Sequence, residues 1–281
     1  MLAKDHVSAF NHHNLENPMH SFTQLAVPAG KIAIHWFEQS SYALKAASGT
    51  MLLIDPYFPT ERPADRFIHA QPPVNAAELP VDIVLLTHSH LDHTHPESID
   101  PLHKARPDVI YVGPQDAIEK VIAGNGIHPA HTRVMNAGQS LQVKDVTIHA
   151  LYSKPPVGDP TANIAPPDVP HLGYVVEMDG KRLYFSGDPI HTFANLPALV
   201  EPVAALSPDI GFLTTHPNEG EFPFFAGSAK MAEGIGLPVA VPAHYQCFVK
   251  RNYDPQEWAT HFATSATKTL IMAHNSAIVW G

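Results

Sequence analysis

From Thr87 to His93 the chain reads Thr-His-Ser-His-Leu-Asp-His, and four of these seven residues are good metal ligands: His88, His90, Asp92 and His93. Zinc accepts imidazole nitrogen and carboxylate oxygen readily, and a catalytic zinc keeps one position open for water. A strand that delivers the chain to a loop lets the i, i+2 pair His88 and His90 aim both rings at one ion. Asp92 and His93, slightly further on, can face a second. Two neighbouring ions can share a water and convert it to hydroxide near neutral pH, which is hydrolytic chemistry. The plain alternative is a polar surface loop in a chain that holds 20 histidines. The ordered pattern His-x-His-x-Asp-His weighs against it.

The rest of the chain must position such a loop. With 281 residues, 44% apolar and 16% charged, it reads as globular rather than disordered. Its 28 prolines imply many tight loops. The formal net charge is −10, with no run of lysines or arginines, which argues against nucleic acid as a partner because such binding rests on neutralising phosphates. A small-molecule substrate is the expectation. One cysteine, Cys247, forbids an intrachain disulfide. No window approaches the roughly 18 apolar residues needed to span a bilayer, and the N-terminus lacks the apolar core of a signal peptide. A cytoplasmic protein without membrane insertion is expected, with self-assembly left open. Residues 1–30, which include His6, His12, His13 and His20, read as a solvated N-terminal arm, and 31–281 as one domain.

Alternation of Ile32, Ile34 and Trp36, then Tyr42 and Leu44, then the run Met51–Ile54, predicts three strands before a Pro-rich loop from Pro59 to Pro80. The branched apolar run Val81–Leu86 predicts a buried strand that ends where the histidine cluster begins. Beyond it come a strand at Val109–Val112, a helix from Gln115 to Ala123 ending at Gly124, and β structure over Leu141–Tyr152. Asp179-Gly180 marks the turn of a hairpin between His171–Met178 and Lys181–Ser186. Helices near Leu196–Leu206 and Ser228–Gly234 alternate with strands Ile210–Thr214 and Val239–Val241. Asp254 as N-cap, Pro255 as first residue and Glu257 start a last helix. Thr269–Ala273 and Ala277–Trp280 close the chain as strands. Strands from both halves with helices between them predict a layered α/β (α+β) fold.

The His-x-His-x-Asp-His order resembles the hallmark of the metallo-β-lactamase superfamily, and other stretches match that family in order. Ile54-Asp55-Pro56 resembles its strand-end "DP", Phe185-Ser186-Gly187-Asp188 its "SGD", and Val241-Pro242-Ala243-His244-Tyr245 its late "P-x-HY". Within it, Trp36–Tyr42 and Leu172–Glu177 resemble strands of the group containing L-ascorbate-6-phosphate lactonase, a group itself similar to N-acyl phosphatidylethanolamine phospholipase D. The resemblance spans about Ile32 to Phe248. It implies a four-layer αββα sandwich with two divalent ions, zinc or manganese with iron as a further option, at one edge of paired sheets. It also implies that Asp188 bridges them and that His244 joins Asp92 and His93 on the second ion.

The family usually adds a third histidine to the first ion, and His149 and His171 are the candidates. Relatives carry that ligand just after the position of His149, in Ala150–Lys154, where this chain has none. A hairpin returns the chain to where it began, so His171 and Asp188 belong at the same end, and His171 is favoured. The implied reaction is attack by a metal-bridging hydroxide on a small ester, lactone or phosphoester. Asp92 would hold the proton of the nucleophile, and Tyr245, His191 or His216 would protonate the leaving group. The alternatives are a phosphodiesterase or phospholipase, a mononuclear iron dioxygenase, and a metal-binding protein without catalysis.

Overall fold

Alternating strands with apolar residues on both faces need cover on both sides, and among the described residues two sheets and five α-helices supply it. The structure, a computed structural model, describes residues 9–10 and 22–281. His6, His12, His13 and His20, expected in the N-terminal arm, lie outside the described residues. One sheet of eight strands runs in the order β1 (Ala9–Phe10), β15 (Ser276–Trp280), β2 (Ile32–Trp36), β3 (Tyr42–Lys45), β4 (Met51–Ile54), β5 (Ile83–Leu85), β6 (Ile110–Gly113), β7 (Thr132–Val134). The second has seven, in the order β14 (Lys268–Thr269), β13 (Val239–Ala243), β12 (Ile210–Thr214), β11 (Lys181–Phe185), β10 (Leu172–Met178), β9 (Val146–Tyr152), β8 (Ser140–Val143).

Strand β2 shows how the layers are written into the residues. Ile32, Ile34 and Trp36 enter the core between the sheets, where Tyr42, Leu44, Tyr174, Val176 and Phe212 meet them. Ala33 and, just past the strand, Phe37 point the other way, into a second core with Ala43, Met51 and Leu53. Ile99 and Leu102 of α1 (Pro96–Ala105) and Ala117, Ile118 and Val121 of α2 (Gln115–Asn125) close that second core. On the far side, α3 (Pro197–Ala205) packs on β9 and α4 (Phe225–Ile235) on β12. The result is the expected α/β sandwich. Truncating a large aliphatic residue in such a layer costs about 2–5 kcal/mol.

Several elements differ from the sequence reading for identifiable reasons. Residues 96–105, for which the pattern predicts no element, form α1 although Pro101 lies inside it and removes one backbone donor; buried Ser98, Ile99 and Leu102 hold it in place. Phe22 is fully buried, and Leu25 and Val27 pack beside it, so the end of the expected arm is anchored to the second core by these three side chains. Ala9–Phe10 adds an edge strand to β15. The last helix, α5 (Pro255–Thr260), starts as its signals predict, with the Asp254 side chain accepting from Gln256 N–H. No helix among the described residues is long and apolar enough to cross a membrane.

Candidate metal centre

The parallel strands β4, β5 and β6 of one sheet and β11, β12 and β13 of the other each end in a loop. These loops gather the polar residues at one edge of the sandwich. Past β5 come Thr87 and the cluster His88–His93, past β4 Asp55, past β11 Asp188, and past β13 His244. His171 sits just before β10, which pairs antiparallel with β11, so it returns to the edge where Asp188 emerges. Leu172 N–H donates to Thr87 O (2.9 Å), tying the two sheets together at this point. Gly187 makes the approach feasible: its φ is +56°, and a Cβ there would lie 2.5 Å from Leu172 O.

The proposed ligands fall into three converging groups, with ligand atoms in each within 4.8 Å of one another: His88, His90 and His171; Asp92, His93 and His244; and His88, His93 and Asp188. Asp188 thus stands between the two triads. Its Oδ2 lies 3.6 Å from His88 Nε2 and 3.4 Å from His93 Nε2, and its Oδ1 lies 3.7 Å from His244 Nε2. Those separations are long for hydrogen bonds. They suit ligands that share an ion, because two donors about 2.1 Å from one tetrahedral zinc are about 3.4 Å apart. His88 Nε2, both nitrogens of His171 and Asp188 Oδ1 are buried without a hydrogen-bond partner. Buried polar atoms are normally satisfied, so this group of orphans fits metal ions as the missing partner.

His149 is elsewhere. It lies within β9 opposite Val175, and its Nδ1 pairs with Ser140 Oγ (2.7 Å). The empty family position falls beside His171: Ser153 N–H donates to His171 O (3.0 Å). The stretch Ala150–Lys154 and His171 therefore lie side by side at one end of the paired strands β9 and β10, although far apart in sequence.

Residues that sequence reasoning left without a role complete the site. Asp55, fully buried, accepts from His93 Nδ1–H (2.8 Å) and from Thr87 Oγ–H (2.6 Å), and Thr87 Oγ in turn accepts from His88 Nδ1–H (3.0 Å). One carboxylate so fixes the tautomer of two ligands and turns both Nε2 lone pairs inward. Its sequence signals, the place directly after the buried run Met51–Ile54 and the resemblance of Ile54-Asp55-Pro56 to the family's strand-end "DP", mark the position without giving it this role. Asp168 accepts from His90 Nε2–H (2.9 Å), and nothing in the sequence marked it. Gln39 is the least expected. Its amide Nε2 donates to Asp92 Oδ2 (2.9 Å) and to His244 Nε2 (2.9 Å) and lies 3.5 Å from His93 Nε2, inside the second triad. Gln39, Asp55 and His244 all hold left-handed backbone, with φ of 53°, 42° and 70°. Such conformations cost about 1–3 kcal/mol each in residues other than glycine.

Electrostatics divide the triads. Burial pushes the pKa of His88 well below the usual imidazole range, with His93 adding to the effect. Burial and then Lys154 lower His171 to about 3. Burial also opposes charge on His93, but Asp188, Asp55 and Asp92 outweigh it and hold His93 well above its ordinary value. Asp188 and Asp92 are held ionised, burial notwithstanding, chiefly by His93 with help from His244.

The residues expected to move protons are divided in the same way. His191 Nδ1–H donates to Phe222 O (3.0 Å), which leaves Nε2 free. His216 Nδ1 accepts from Glu219 N–H (3.0 Å), so its proton is on Nε2, which is buried without a partner. Asp92, ionised between His93 and His244, is placed as a ligand more than as a proton acceptor. Tyr245 is a correction: its ring stacks between Trp36 (4.7 Å) and Tyr253 (4.8 Å) in the main core, and burial raises its pKa. A core position and a held proton make it a poor acid.

Comparison with known proteins agrees with this fold. Residues 50–245 match the model of the beta-lactamase superfamily domain. The chain is 28% identical over 229 residues to a UPF0173 metal-dependent hydrolase of Myxococcus xanthus, covering 79% of this chain and 74% of that protein. It is 25% identical over 204 residues to a probable L-ascorbate-6-phosphate lactonase, UlaG, of Salmonella paratyphi B, covering 63% of this chain and 52% of the relative; the match thus spans about half the lactonase's length. Igni18, a metallo hydrolase of Ignicoccus hospitalis, superposes with a TM-score of 0.65 at 18% identity, covering 89% of this chain and 99% of that one. With the matched domain spanning most of the sequence and the histidine–aspartate cluster at its sheet edge, the chain belongs to the metallo-β-lactamase superfamily.

Proposed function

We propose that the protein is a metal-dependent hydrolase of small ester, lactone or phosphoester substrates. The observation that carries this reading is Asp188 standing between two triads of ligands, with its oxygens turned to both. Zinc or manganese ions, when bound there, would supply Lewis-acid polarisation of the scissile bond and an acidified water. His88, His90 and His171 would hold one ion and Asp92, His93 and His244 the other, with Asp55 fixing the rings of His88 and His93. His216 would offer its Nε2–H to a developing oxyanion, and His191, with its Nε2 free, would serve the leaving group.

Two cations support an anionic substrate. Lys154, beside His171, and Arg251, over the Phe222 ring, both reach Glu221, at 3.2 and 3.3 Å. Phe222 in turn lies against His244, at 5.0 Å between centroids. A phosphate or carboxylate on the substrate could take the place of Glu221 between them. The lactonase and hydrolase names of the relatives fit the same class.

Gln39 gives one rival a footing. An amide inside the second triad favours a single tightly held ion, as in a mononuclear iron dioxygenase. The test is protein purified with its metal, assayed on lactones, carboxylic esters, phosphomonoesters and phosphodiesters beside Asp188→Asn. Hydrolysis of one class that the variant loses is expected. One iron per chain with oxygen uptake and no hydrolysis would replace the proposal with the dioxygenase.

A further inference from the structure

The register of one strand pair builds a second cluster. β15 and β2 run antiparallel with Ser276 opposite Trp36, and the pairing continues past the strand ends, where Asn275 N–H donates to Phe37 O (3.1 Å). One step further, Glu38 meets His274, with Oε2 3.6 Å from Nε2. A third segment arrives from the Pro-rich loop. Phe67 bridges Phe248, and Ile68 N–H donates to Cys247 O (2.9 Å). The next residue, His69, lays its ring on His274 with centroids 3.7 Å apart and planes 16° apart.

Three atoms at this meeting point are buried without a hydrogen-bond partner: Glu38 Oε2, His69 Nε2 and His274 Nε2. Glu38 is fully buried. Its other oxygen, Oε1, accepts from Arg62 at 2.6 Å. A buried Glu38–Arg62 ion pair with two histidines nearby is the simpler account. It leaves unexplained why the second carboxylate oxygen and two imidazole nitrogens face one another unsatisfied, when buried polar atoms are seldom left so. Ligand atoms of the three residues lie within 4.8 Å of one another. Two imidazoles and one carboxylate are a donor set that zinc takes in sites with an open coordination position.

We propose that Glu38, His69 and His274 form a separate divalent-metal site, for zinc, that shares no ligand with the main cluster. The Arg62 charge beside it makes this site weaker than the main one, which has Asp92 and Asp188 among its ligands. Its place gives it a task. Glu38 immediately precedes Gln39, so an ion here would pin the loop whose next side chain reaches Asp92 and His244. It would also join three segments far apart in sequence.

The experiment is metal stoichiometry on chelator-stripped protein refilled with Zn²⁺ or with Co²⁺. Wild type is compared with His69→Ala and His274→Ala, both at partly exposed positions, and circular dichroism reports folding. Each variant should saturate at one equivalent fewer than wild type, with the Co²⁺ absorption bands of the main cluster retained. Equal stoichiometry and equal spectra in all three proteins would overturn the site. A second measurement needs no variant: in ¹⁵N-histidine spectra of wild type, two further Nε2 resonances should move on Zn²⁺ addition after the main cluster has filled. If only main-cluster histidines respond, the inference fails even should both variants misfold.

Discussion

Replacing Gln39 with alanine should separate the two triads. The Gln39 amide makes one hydrogen bond to an ionised carboxylate, Asp92, and one to a neutral acceptor, His244, both at 2.9 Å. An ion entering the second triad must break both, whereas among the described residues no hydrogen bond occupies His88 Nε2 or either nitrogen of His171. Net values are about 1.5 kcal/mol for a bond to a charged group and about 0.5 kcal/mol for a neutral one at the low end, together about 2 kcal/mol. At about 1.4 kcal/mol per decade, that is about a 30-fold handicap on the second ion. Gln39→Ala should remove it. Titration of stripped protein with Zn²⁺ against a chromophoric chelator should show two steps for the main cluster in wild type, besides the still weaker step of the Glu38–His69–His274 site, with only the second of the two tightened in the variant. A second step that stays where it was, or a first step that moves with it, would refute the reasoning that Gln39 is a competing ligand of the second triad.

The remaining predictions concern the ligands and their supports. His171→Ala should lose metal from the first triad, by more than the roughly 10–100-fold typical of a supporting residue, whereas His149→Ala should keep full metal content and lose the Ser140 bond and a long contact with Glu177, together about 1 kcal/mol of stability; elemental analysis and thermal melts distinguish them. Asp55→Asn should weaken metal binding about 10–100-fold without unfolding the chain, since it unties His93 directly and His88 through Thr87. As pH falls from about 7 to about 5, the second ion should leave before the first. The sign follows from the shifts: His93, held above its ordinary value, carries an extra proton that an ion must displace, while His88 and His171, the latter lowered to about 3, are neutral rings with a lone pair already available. Metal content after dialysis across that range checks the order, and simultaneous release would contradict it.

How far the sequence reached depended on whether a signal was local. The strands with clean alternation or branched apolar runs, such as Ile32–Trp36 and Ile210–Thr214, were legible because each face of the sheet has its own core. The hairpin Leu172–Phe185 was legible through Asp179-Gly180, and it brought His171 to Asp188 without any motif at His171 itself. Helix α1 was hidden by its prolines, and its stability comes from buried contacts that periodicity does not report. Asp55, Gln39 and Asp168 act across distances of 38, 53 and 78 residues, so their roles exist only once the sheet edge is assembled. Tyr245 failed for the opposite reason: its neighbour His244 is a proposed ligand, but the next side chain along a strand end points into the other layer.

The left-handed backbone at Gln39, Asp55 and His244 bears on how this protein can be improved or can decay. Glycine would relax all three positions, and asparagine would suit them better than the present residues. A library selected for heat resistance alone should therefore drift toward those residues at the sheet edge and surrender the metal cluster as it gains stability. Resistance to that drift is itself informative. Any natural copy of this chain that keeps a glutamine, an aspartate and a histidine in these strained seats is under selection for the site, and one that has exchanged them for glycine has retired from its chemistry while keeping its fold.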